Sequence, residues 1–390
     1  MNLPILPGAT LGVLGGGQLG RMFVHAAQSL GYATAVLDPD GDSPAGRVSE
    51  HHVSTGYLDP TGLERLAELT AAVSTEFENV PADALAGLAR TRVVSPSADA
   101  VSVCQDRSAE KAQFVRCGVP CASHASIVGP SDLDAVPDHL LPGILKTARM
   151  GYDGKGQCRV TTRVELVQAW TALQRVPCVL EKLLPLKGEL SVIVARGADG
   201  RQVHLPIQQN LHRDGILAVT EAPAPDVSAT LQQEAVACAG RIAEALAYVG
   251  VLCVEFFVVD DGSPDGALMA NEMAPRPHNS GHHSIDSCDV SQFELQVRTL
   301  TGLPLVVPRQ HSCALMLNLL GNLWFDADGR ERCPPWDRVL ALPGVHLHLY
   351  GKTGPRPGRK MGHVTITASS VGETRRTGRA VAELLGIEAI

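Results

Sequence analysis

An apolar strand that runs straight into a glycine-rich turn and then a helix restricts the fold of this chain more than any other feature. Residues 10–14 form the strand, and the glycine loop, residues 15–20, fits the pattern G-x-G-x-x-G. Residues 21–30 follow as a predicted helix, and residues 33–37 as a second predicted strand. This order is typical of a strand–turn–helix unit whose helix N-terminus points at an anion.

Strands and helices continue to alternate through the first hundred or so residues. Further strands are predicted at 71–77 and 92–94, and helical stretches at 63–69 and 82–89 lie between and beside them. Alternation of this kind indicates a doubly wound parallel sheet, which is an α/β fold.

The rest of the chain is predicted to be α+β. A long amphipathic helix spans 231–248, and the C-terminal part has short β-like runs at 345–350 and 363–367 before a closing helix at 371–385. This C-terminal part is predicted to be a small mixed β domain. A length of 390 residues suits two or three domains. We place these domains at residues 1–105, 106–308 and 309–390.

The glycine loop is open to more than one interpretation. Asp38 lies 18 positions beyond Gly20, where the acidic residue of an NAD-binding fingerprint would bind a ribose hydroxyl. The glycines could also serve only to turn a strand tightly into a helix, without any ligand. The pattern therefore supports an anion site but does not identify the phosphate.

A single carboxylate in the centre of a long apolar run indicates a metal. Glu255 is the only charged residue of a nine-residue run, which is typical of a strand buried on both faces. A second strand, 267–273, carries Asn271 and Glu272, and the two strands would form a hairpin centred near Ser263. Glu255 would then lie opposite Asn271 or Glu272, and a divalent cation would relieve the repulsion between the carboxylates. The alternative is a pair of acids that face solvent at a strand edge.

A second glycine-rich loop follows a strand lysine. Lys146 lies on a predicted strand at 144–147, and its ammonium could neutralise an α- or β-phosphate. Backbone N–H groups of the loop could follow phosphate oxygens. The loop consists of Gly151, Tyr152, Asp153, Gly154, Lys155, Gly156 and Gln157. It is not a Walker loop, and the alternative is an ordinary glycine turn with solvated lysines.

The apolar stretch at 179–184 suits the recognition of adenine by its backbone. It contains Glu181, Lys182, Leu183 and Leu184, and Glu189 follows where a carboxylate could bind ribose hydroxyls. A plain strand without a ligand is the alternative for each of these signals.

Charge and composition exclude several classes of protein. The formal net charge is −8, with 33 basic and 41 acidic residues and no basic runs, so no affinity for nucleic acid or an anionic membrane is indicated. The first residues lack a secretory leader, and no stretch approaches the roughly 20 apolar residues that span a bilayer. The ten cysteines are scattered, without a CxxC pair. We expect a reduced, cytoplasmic protein.

Taken in order along the chain, these motifs resemble the ATP-grasp superfamily, and within it the 5-(carboxyamino)imidazole ribonucleotide synthases of bacterial purine synthesis. The resemblance covers nearly all of the chain. Its most specific motifs are GGGQLGRM at 15–22, EFEN at 76–79, GYDGKGQ at 151–157, NEMAPRPHNSGH at 271–282, SQFE at 291–294 and RPGRKMGH at 356–363.

The resemblance implies sites for ATP and for Mg²⁺, with Mn²⁺ as an alternative ion. Metal would bind Glu255 and Glu272, with Asn271 beside them. ATP would contact Arg107, Lys146, the loop at 151–157, Glu181, Lys182, Leu183, Leu184, Glu189 and His212, together with Asn271 and Glu272.

The resemblance also reassigns the glycine loop to the 5′-phosphate of a ribonucleotide. The substrate residues that it implies are Gly17, Gln18, Leu19, Glu76, His278, Asn279, Ser280, Lys352, Arg359 and Lys360. Asp153 is expected to hold or deprotonate the substrate amine, although a turn Asp that bonds nearby N–H groups is an equal alternative. The other catalytic assignments are Tyr152, Arg276 and Lys360.

The implied reaction joins bicarbonate to the amine of aminoimidazole ribonucleotide at the expense of ATP, through carboxyphosphate. The partners are thus small molecules, and a homodimer is expected. Three alternatives stay open: a formate-dependent glycinamide ribonucleotide transformylase of the same fold, an NAD-dependent oxidoreductase, and a catalytically silent nucleotide-binding homologue.

Overall fold

The computed structural model describes residues 3–151 and 156–388. The elements of the N-terminal region are β1 (Thr10–Leu14), α1 (Gln18–Ser29), β2 (Ala33–Leu37), β3 (His51–Val53), α2 (Pro60–Leu69), β4 (Ala72–Thr75), α3 (Ala82–Leu88), β5 (Val93–Val94) and α4 (Ala98–Cys104). The five strands form a parallel sheet with strand order β3-β2-β1-β4-β5, which is a doubly wound arrangement. The predicted α/β class of this region is confirmed.

Two separate apolar cores cover the two faces of this sheet. On one face, Leu11 and Val13 of β1 pack with Phe23 of α1. On the other, Leu14 packs with Leu66 of α2 and with residues of α3 and α4. Neighbouring side chains of a strand point to opposite faces, so β1 contributes to both cores.

The helix after the glycine loop begins three residues earlier than predicted, at Gln18 instead of residue 21. Gly17 has an extended conformation at the helix start, and the amides of Gly17 and Gly20 both donate to the carboxylate of Glu76. These two bonds satisfy N–H groups that the first turn of a helix leaves without partners. The capping group comes from a distant strand end, so the local sequence does not reveal it.

The central region contains two sheets. The elements are α5 (Arg107–Arg116), β6 (His124–Ile127), α6 (Pro130–Ala135), β7 (Gly143–Thr147), β8 (Gln157–Val160), α7 (Arg163–Ala172), β9 (Cys178–Lys182), β10 (Leu186–Arg196), β11 (Gln202–His204), β12 (Gln208–Arg213), β13 (Ile216–Ala222), α8 (Ala229–Ala245), β14 (Gly250–Val259), β15 (Ala267–Ala274), α9 (Ser284–Ser287) and α10 (Gln292–Thr301). A four-stranded antiparallel sheet has the order β6-β9-β7-β8, and a longer sheet begins β15-β14-β10-β12-β13, with β11 paired to β10.

The C-terminal strands extend the longer sheet of the central region. The elements are β16 (Cys313–Leu320), α11 (Trp336–Leu340), β17 (Val345–Leu349), β18 (Lys360–Ala368) and α12 (Val371–Leu385). β16 pairs antiparallel with β13 and with β18, and β17 pairs antiparallel with β18. The last helix has the predicted bounds. The longer sheet contains strands from both sides of residue 308 and so does not mark a boundary there. The predicted domain boundaries therefore stay predictions.

Among the described residues, no helix is both long enough and apolar enough to span a membrane.

Candidate active site

Predicted site residues from all three regions of the chain line one cavity of about 910 Å³. The glycine loop and the end of β4 supply one wall, β14 and β15 a second, and the segment between β17 and β18 a third. Predicted site residues that line it are Gly17, Gln18, Leu19, Glu76, Arg107, Gly151, Glu255, Glu272, Arg276, His278, Asn279, Lys352, Arg359 and Lys360. Residues far apart in the sequence therefore share one space.

Glu255 and Glu272 lie directly opposite each other on β14 and β15. The pairing is regular from Val259 back to Phe256, and then slips by one residue, so Asn271 is the extra residue of a β-bulge. An unbroken register would have placed Asn271 opposite Glu255. The predicted hairpin is confirmed. The bulge places Glu272, and not Asn271, opposite Glu255.

The two carboxylates differ in their surroundings. Burial and the charge of Glu272 raise the pKa of Glu255 to about 7, and its buried Oε1 has no hydrogen-bond partner. The nearby His278 Nε2 lies 3.7 Å from this oxygen. For Glu272, burial opposes ionisation, but Arg107 outweighs it and lowers the pKa, with Arg107 Nη1 3.0 Å from Oε2. A divalent cation between the two side chains would complete the bonding of the Glu255 oxygen.

A buried carboxylate joins two lysines of the nucleotide side. Glu181 Oε2 lies 2.9 Å from Lys146 Nζ, and Glu181 Oε1 lies 3.2 Å from Lys111 Nζ. Lys111 also donates to the backbone oxygen of Asn271 at 2.9 Å. Burial opposes ionisation of Glu181, yet Lys146 and Lys111 together lower its pKa. Glu181 and Lys111 thus connect β9 with the bulge beside Glu272.

Glu110 and Lys111 belong to this site although neither was predicted as a site residue. Both lie on α5, three and four positions after Arg107, so the three side chains share one face of the helix. Glu110 is buried and accepts the amide of Met273 at 2.6 Å. Burial raises the pKa of Glu110 to about 8, against the effect of Arg107. The spacing of these charged residues was the available signal in the sequence. It did not identify them as site residues, because a solvated charged face and a buried charged face of a helix have the same sequence pattern.

The glycine loop encloses a carboxylate. Gly15 has φ of +103°, and a Cβ there would lie 2.5 Å from Glu76 Cγ. A Cβ on Gly17 would lie 2.6 Å from Glu76 Oε1. Burial raises the pKa of Glu76, although two amide bonds and the positive charge of Arg276 oppose this shift. Gly15 and Gly17 are thus required for the close approach of the Glu76 side chain.

Asp38, the residue on which the NAD alternative depends, is already bonded. Its Oδ2 accepts the amide of Gly16 at 2.7 Å and the hydroxyl of Tyr57 at 2.7 Å. Its Oδ1 accepts the amide of Asp40. These bonds organise the loops around the glycine loop, so the spacing of Asp38 has a structural explanation.

The segment after β15 holds the predicted substrate residues in different environments. The amide nitrogen and oxygen of the Asn279 side chain are both buried without hydrogen-bond partners, and Asn279 lines the cavity. Ser280 is fully buried, with its hydroxyl 2.7 Å from Ser191 Oγ and 3.0 Å from His278 Nδ1. Ser280 therefore supports the His278 ring, while Asn279 is the side chain with unused bonding capacity. The half-buried Arg276 pairs with Glu78 of the EFEN motif.

The wall between β17 and β18 is cationic. Lys352 donates to the backbone oxygen of Lys360 at 2.9 Å, and Arg359 donates to the oxygens of Thr353 and Gly354. These bonds tie the segment into a compact loop. Positive charge from Lys352 and Lys360 therefore faces the same cavity as Glu255 and Glu272.

The remaining predicted ATP residues that the structure describes are not among those that line this cavity. His212 pairs with Glu189, and although burial opposes protonation of His212, Glu189 and Glu255 raise its pKa. Lys182 is exposed at the end of β9, and Leu183 donates its amide to the backbone oxygen of Pro142 at 3.0 Å. Half-buried Leu184, half-buried Gly156 and exposed Gln157 complete the set. The predictions for Tyr152, Asp153, Gly154 and Lys155 lie outside the described residues.

Comparison with known proteins identifies the class. Residues 112–293 match the model of the ATP-grasp domain, and residues 8–105 match that of the ribonucleotide synthetase preATP-grasp domain. Residues 314–377 match the phosphoribosylaminoimidazole carboxylase C-terminal domain. The fold and these matches define an ATP-grasp enzyme.

Individual relatives narrow this class to one family. The chain is 41% identical to N5-carboxyaminoimidazole ribonucleotide synthase of Brucella melitensis, over 92% of this chain and 96% of the relative. It is similar to the crystal structure of the Thermus thermophilus synthetase, with TM-score 0.86, 40% identity and coverage of 97% and 99% of the two chains. The Aspergillus clavatus synthase, solved with ADP and 5-aminoimidazole ribonucleotide, gives TM-score 0.87, 32% identity and coverage of 97% and 98%. The chain belongs to the N5-carboxyaminoimidazole ribonucleotide synthase family.

Proposed function

We propose that this enzyme carboxylates the amine of 5-aminoimidazole ribonucleotide, using ATP and bicarbonate, to give 5-(carboxyamino)imidazole ribonucleotide, ADP and phosphate in purine biosynthesis. The observation that carries this proposal is the composition of the large cavity. The acidic pair Glu255 and Glu272 and the basic residues Lys352 and Lys360 line the same space. A phosphorylated acid formed at one wall would therefore meet an amine held at the other.

On the nucleotide side, the opposed carboxylates fit Mg²⁺. The orphaned Glu255 oxygen and the neighbouring Glu272 are hard oxygen ligands, which Mg²⁺ or Mn²⁺ accepts beside substrate phosphates. When bound, the ion would offset negative charge on the β- and γ-phosphates. Lys146 would hold the α- or β-phosphate, and the strand around Glu181 would receive the adenosine.

On the ribonucleotide side, the glycine loop and the cationic wall would bind the phosphate. The amides of Gly17 and Gly20 already donate to Glu76, so the phosphate would meet the other amides at the start of α1 together with the positive charge of Lys360. Asn279 has a donor and an acceptor available for the ribose or the base. These side chains would fix the orientation of the amine before the activated acid decays.

The reaction then needs two transfers. A bicarbonate oxygen attacks the γ-phosphorus, the bond to the β-phosphate oxygen breaks, and ADP leaves. The amine attacks the carbon of carboxyphosphate, or of the CO₂ that it releases, and inorganic phosphate leaves with the electrons of the C–O bond. Arg276 would stabilise the transferring group, and Asp153 with Tyr152 would orient the amine and accept its proton.

The nearest competing function is formate-dependent transfer to glycinamide ribonucleotide. Oxygen labelling separates the two, because phosphorylation of bicarbonate moves one of its oxygens into inorganic phosphate. With aminoimidazole ribonucleotide present, ADP release should depend on bicarbonate, and heavy oxygen should appear in phosphate in step with product. Turnover with formate and glycinamide ribonucleotide alone would overturn the substrate assignment. Bicarbonate-dependent turnover without label in phosphate would overturn the phosphorylated intermediate. No turnover with either pair would favour a silent homologue.

The NAD-dependent alternative rested on the glycine loop and Asp38, whose carboxylate is fully engaged by protein donors. The homodimer and the cytoplasmic location stay predictions. Gel filtration with light scattering would test the first of them.

A further inference from the structure

A second polar cluster lies apart from the carboxylates of the active site. We call Asp286, His346, His348 and His363 the histidine cluster. One ligand atom from each of Asp286, His348 and His363 lies within 4.8 Å of the other two. His346 Nδ1 lies 3.7 Å from Asp286 Oδ1, on the opposite carboxylate oxygen from His348. One carboxylate is thus surrounded by three imidazoles.

The fold brings these residues together in a defined way. His348 and His363 are directly opposite each other on β17 and β18. His346 lies two positions before His348, so it shares that face of β17. Asp286 comes from the short helix α9, which packs on β18. Three elements therefore converge on the cluster, and the cluster links the C-terminal hairpin to the central region.

His363 provides an independent indication of a ligand. Its side chain is fully buried, Nδ1 is 3.0 Å from the hydroxyl of Tyr350, and Nε2 has no hydrogen-bond partner. A buried imidazole with one nitrogen held by a neighbour and the other unused can bind a metal ion through the second nitrogen.

We propose that the histidine cluster binds a transition-metal ion of the Zn²⁺ class, separate from the Mg²⁺ of the nucleotide site. Imidazole nitrogens and a carboxylate oxygen suit Zn²⁺, Co²⁺ and Ni²⁺, while Mg²⁺ prefers oxygen ligands alone. His363, His348 and Asp286 would supply three ligands, and His346 lies beside the other carboxylate oxygen of Asp286.

Binding requires one local adjustment. The His348 and His363 rings are stacked, with centroids 4.5 Å apart and planes at 11°. Their in-plane lone pairs are nearly parallel, so a shared ion needs one ring to turn about χ2, a torsion with broad minima. The His348 side chain is 27% exposed and its Nε2 lies 2.8 Å from Asp286 Oδ2, whereas His363 is fully buried. His348 is therefore the ring that can turn.

A bound ion would join α9 to the hairpin of β17 and β18 close to the cavity. The chain between β17 and β18 carries Lys352 and leads to Lys360. The ring of His282, which lines the cavity, lies 4.9 Å from that of His363. An ion held between α9 and the hairpin would therefore fix the cationic wall relative to the segment that carries Asn279.

Co²⁺ offers a direct test with the full-length enzyme. Metal-free protein is saturated with Mg²⁺ and ADP to fill the nucleotide site, and Co²⁺ is then added while visible absorption is recorded. We expect about one equivalent with the weak d–d bands of nitrogen and oxygen ligands and without a thiolate charge-transfer band. Competition with a chromogenic chelator gives the affinity for Zn²⁺.

Variants tie the signal to the histidine cluster. His348→Gln and Asp286→Asn should each weaken the binding at least about tenfold. His139→Gln, at an exposed histidine, and Glu272→Gln, in the nucleotide site, should keep wild-type affinity. Circular dichroism checks folding, and His348→Gln serves if Asp286→Asn fails to fold. The proposal is overturned if the wild type takes up no ion, if a thiolate band accompanies uptake, or if His348→Gln binds as tightly as the wild type.

Discussion

Glu255 faces Glu272 because the ladder between β14 and β15 slips by one residue beside them. Because of the bulge at Asn271, the carboxylate of Glu272, and not the side-chain amide of Asn271, lies opposite Glu255. The same bulge leaves the backbone oxygen of Asn271 to accept the Lys111 ammonium at 2.9 Å. One irregularity in a strand thus creates the acidic pair and connects it to the lysines of the nucleotide side.

Glu272→Gln should reduce ATP turnover by more than about 100-fold, because it removes a metal-facing charge from a site that depends on electrostatic stabilisation. The measurement is ADP release with bicarbonate and aminoimidazole ribonucleotide at saturating Mg²⁺. Glu64→Gln, at an exposed helical position, is the matched control and should behave as the wild type. Wild-type turnover by Glu272→Gln would refute the metal assignment.

Lys146→Ala should raise the KM for ATP by roughly ten- to a hundredfold, since it removes a charged contact to phosphate, and should change the KM for the ribonucleotide much less. Steady-state kinetics with each substrate varied in turn give both constants. Lys187→Ala, which removes a partly exposed lysine paired with Asp260, is the control. An equal rise in both constants would mean that the two pockets have been assigned to the wrong walls.

Much of the fold follows from local patterns in the sequence. The bounds of β1, β2 and α12 agree with those predicted, and the hairpin of β14 and β15 is centred on residue 263 as expected. Each of these elements has a strong apolar period and clear turn residues at its ends. The predicted fold class is confirmed for the same reason.

What the sequence could not show depends on distant partners. The carboxylate of Glu76 reaches back to the glycine loop, 59 residues away at Gly17. Glu110 is bonded to a backbone amide 163 residues away. The bulge at Asn271 is equally hidden, because no residue type requires it there. Buried polar contacts of this kind are fixed by tertiary packing, and a local pattern carries no information about them.

Glu110 makes stability depend on pH. Its pKa is raised to about 8 in the folded protein and is about 4.3 in an unfolded chain, so the folded state binds the proton more tightly. Stability from this group is therefore present at low pH and falls as pH rises through this window, by up to about 1.4 kcal/mol per unit. Glu110→Gln mimics the protonated form and should lack this slope. Its Tm relative to the wild type should thus rise from pH 5 to pH 8.

Thermal unfolding in matched buffers measures this difference, with Glu64→Gln as the control that should follow the wild type at every pH. A constant difference between Glu110→Gln and the wild type would show that Glu110 stays ionised beside Arg107. Its role would then be that of an ordinary buried ion-pair partner.

Lys360→Ala should lose product formation more than it loses ATP affinity, because Lys360 lies on the cationic wall that is proposed to hold the ribonucleotide. The activated acid must meet an amine that is already in place. If the variant binds the ribonucleotide more weakly, more of the intermediate decays to bicarbonate and phosphate before the amine reacts. We expect the ratio of product to ADP to fall at subsaturating ribonucleotide, while the KM for ATP stays within about twofold. Parallel assays of ADP and of carboxylated product measure this ratio, with Arg379→Ala, at an exposed position of α12 outside the cavity lining, as the control. If ADP and product fell together while the KM for ATP rose, Lys360 would belong to the nucleotide site.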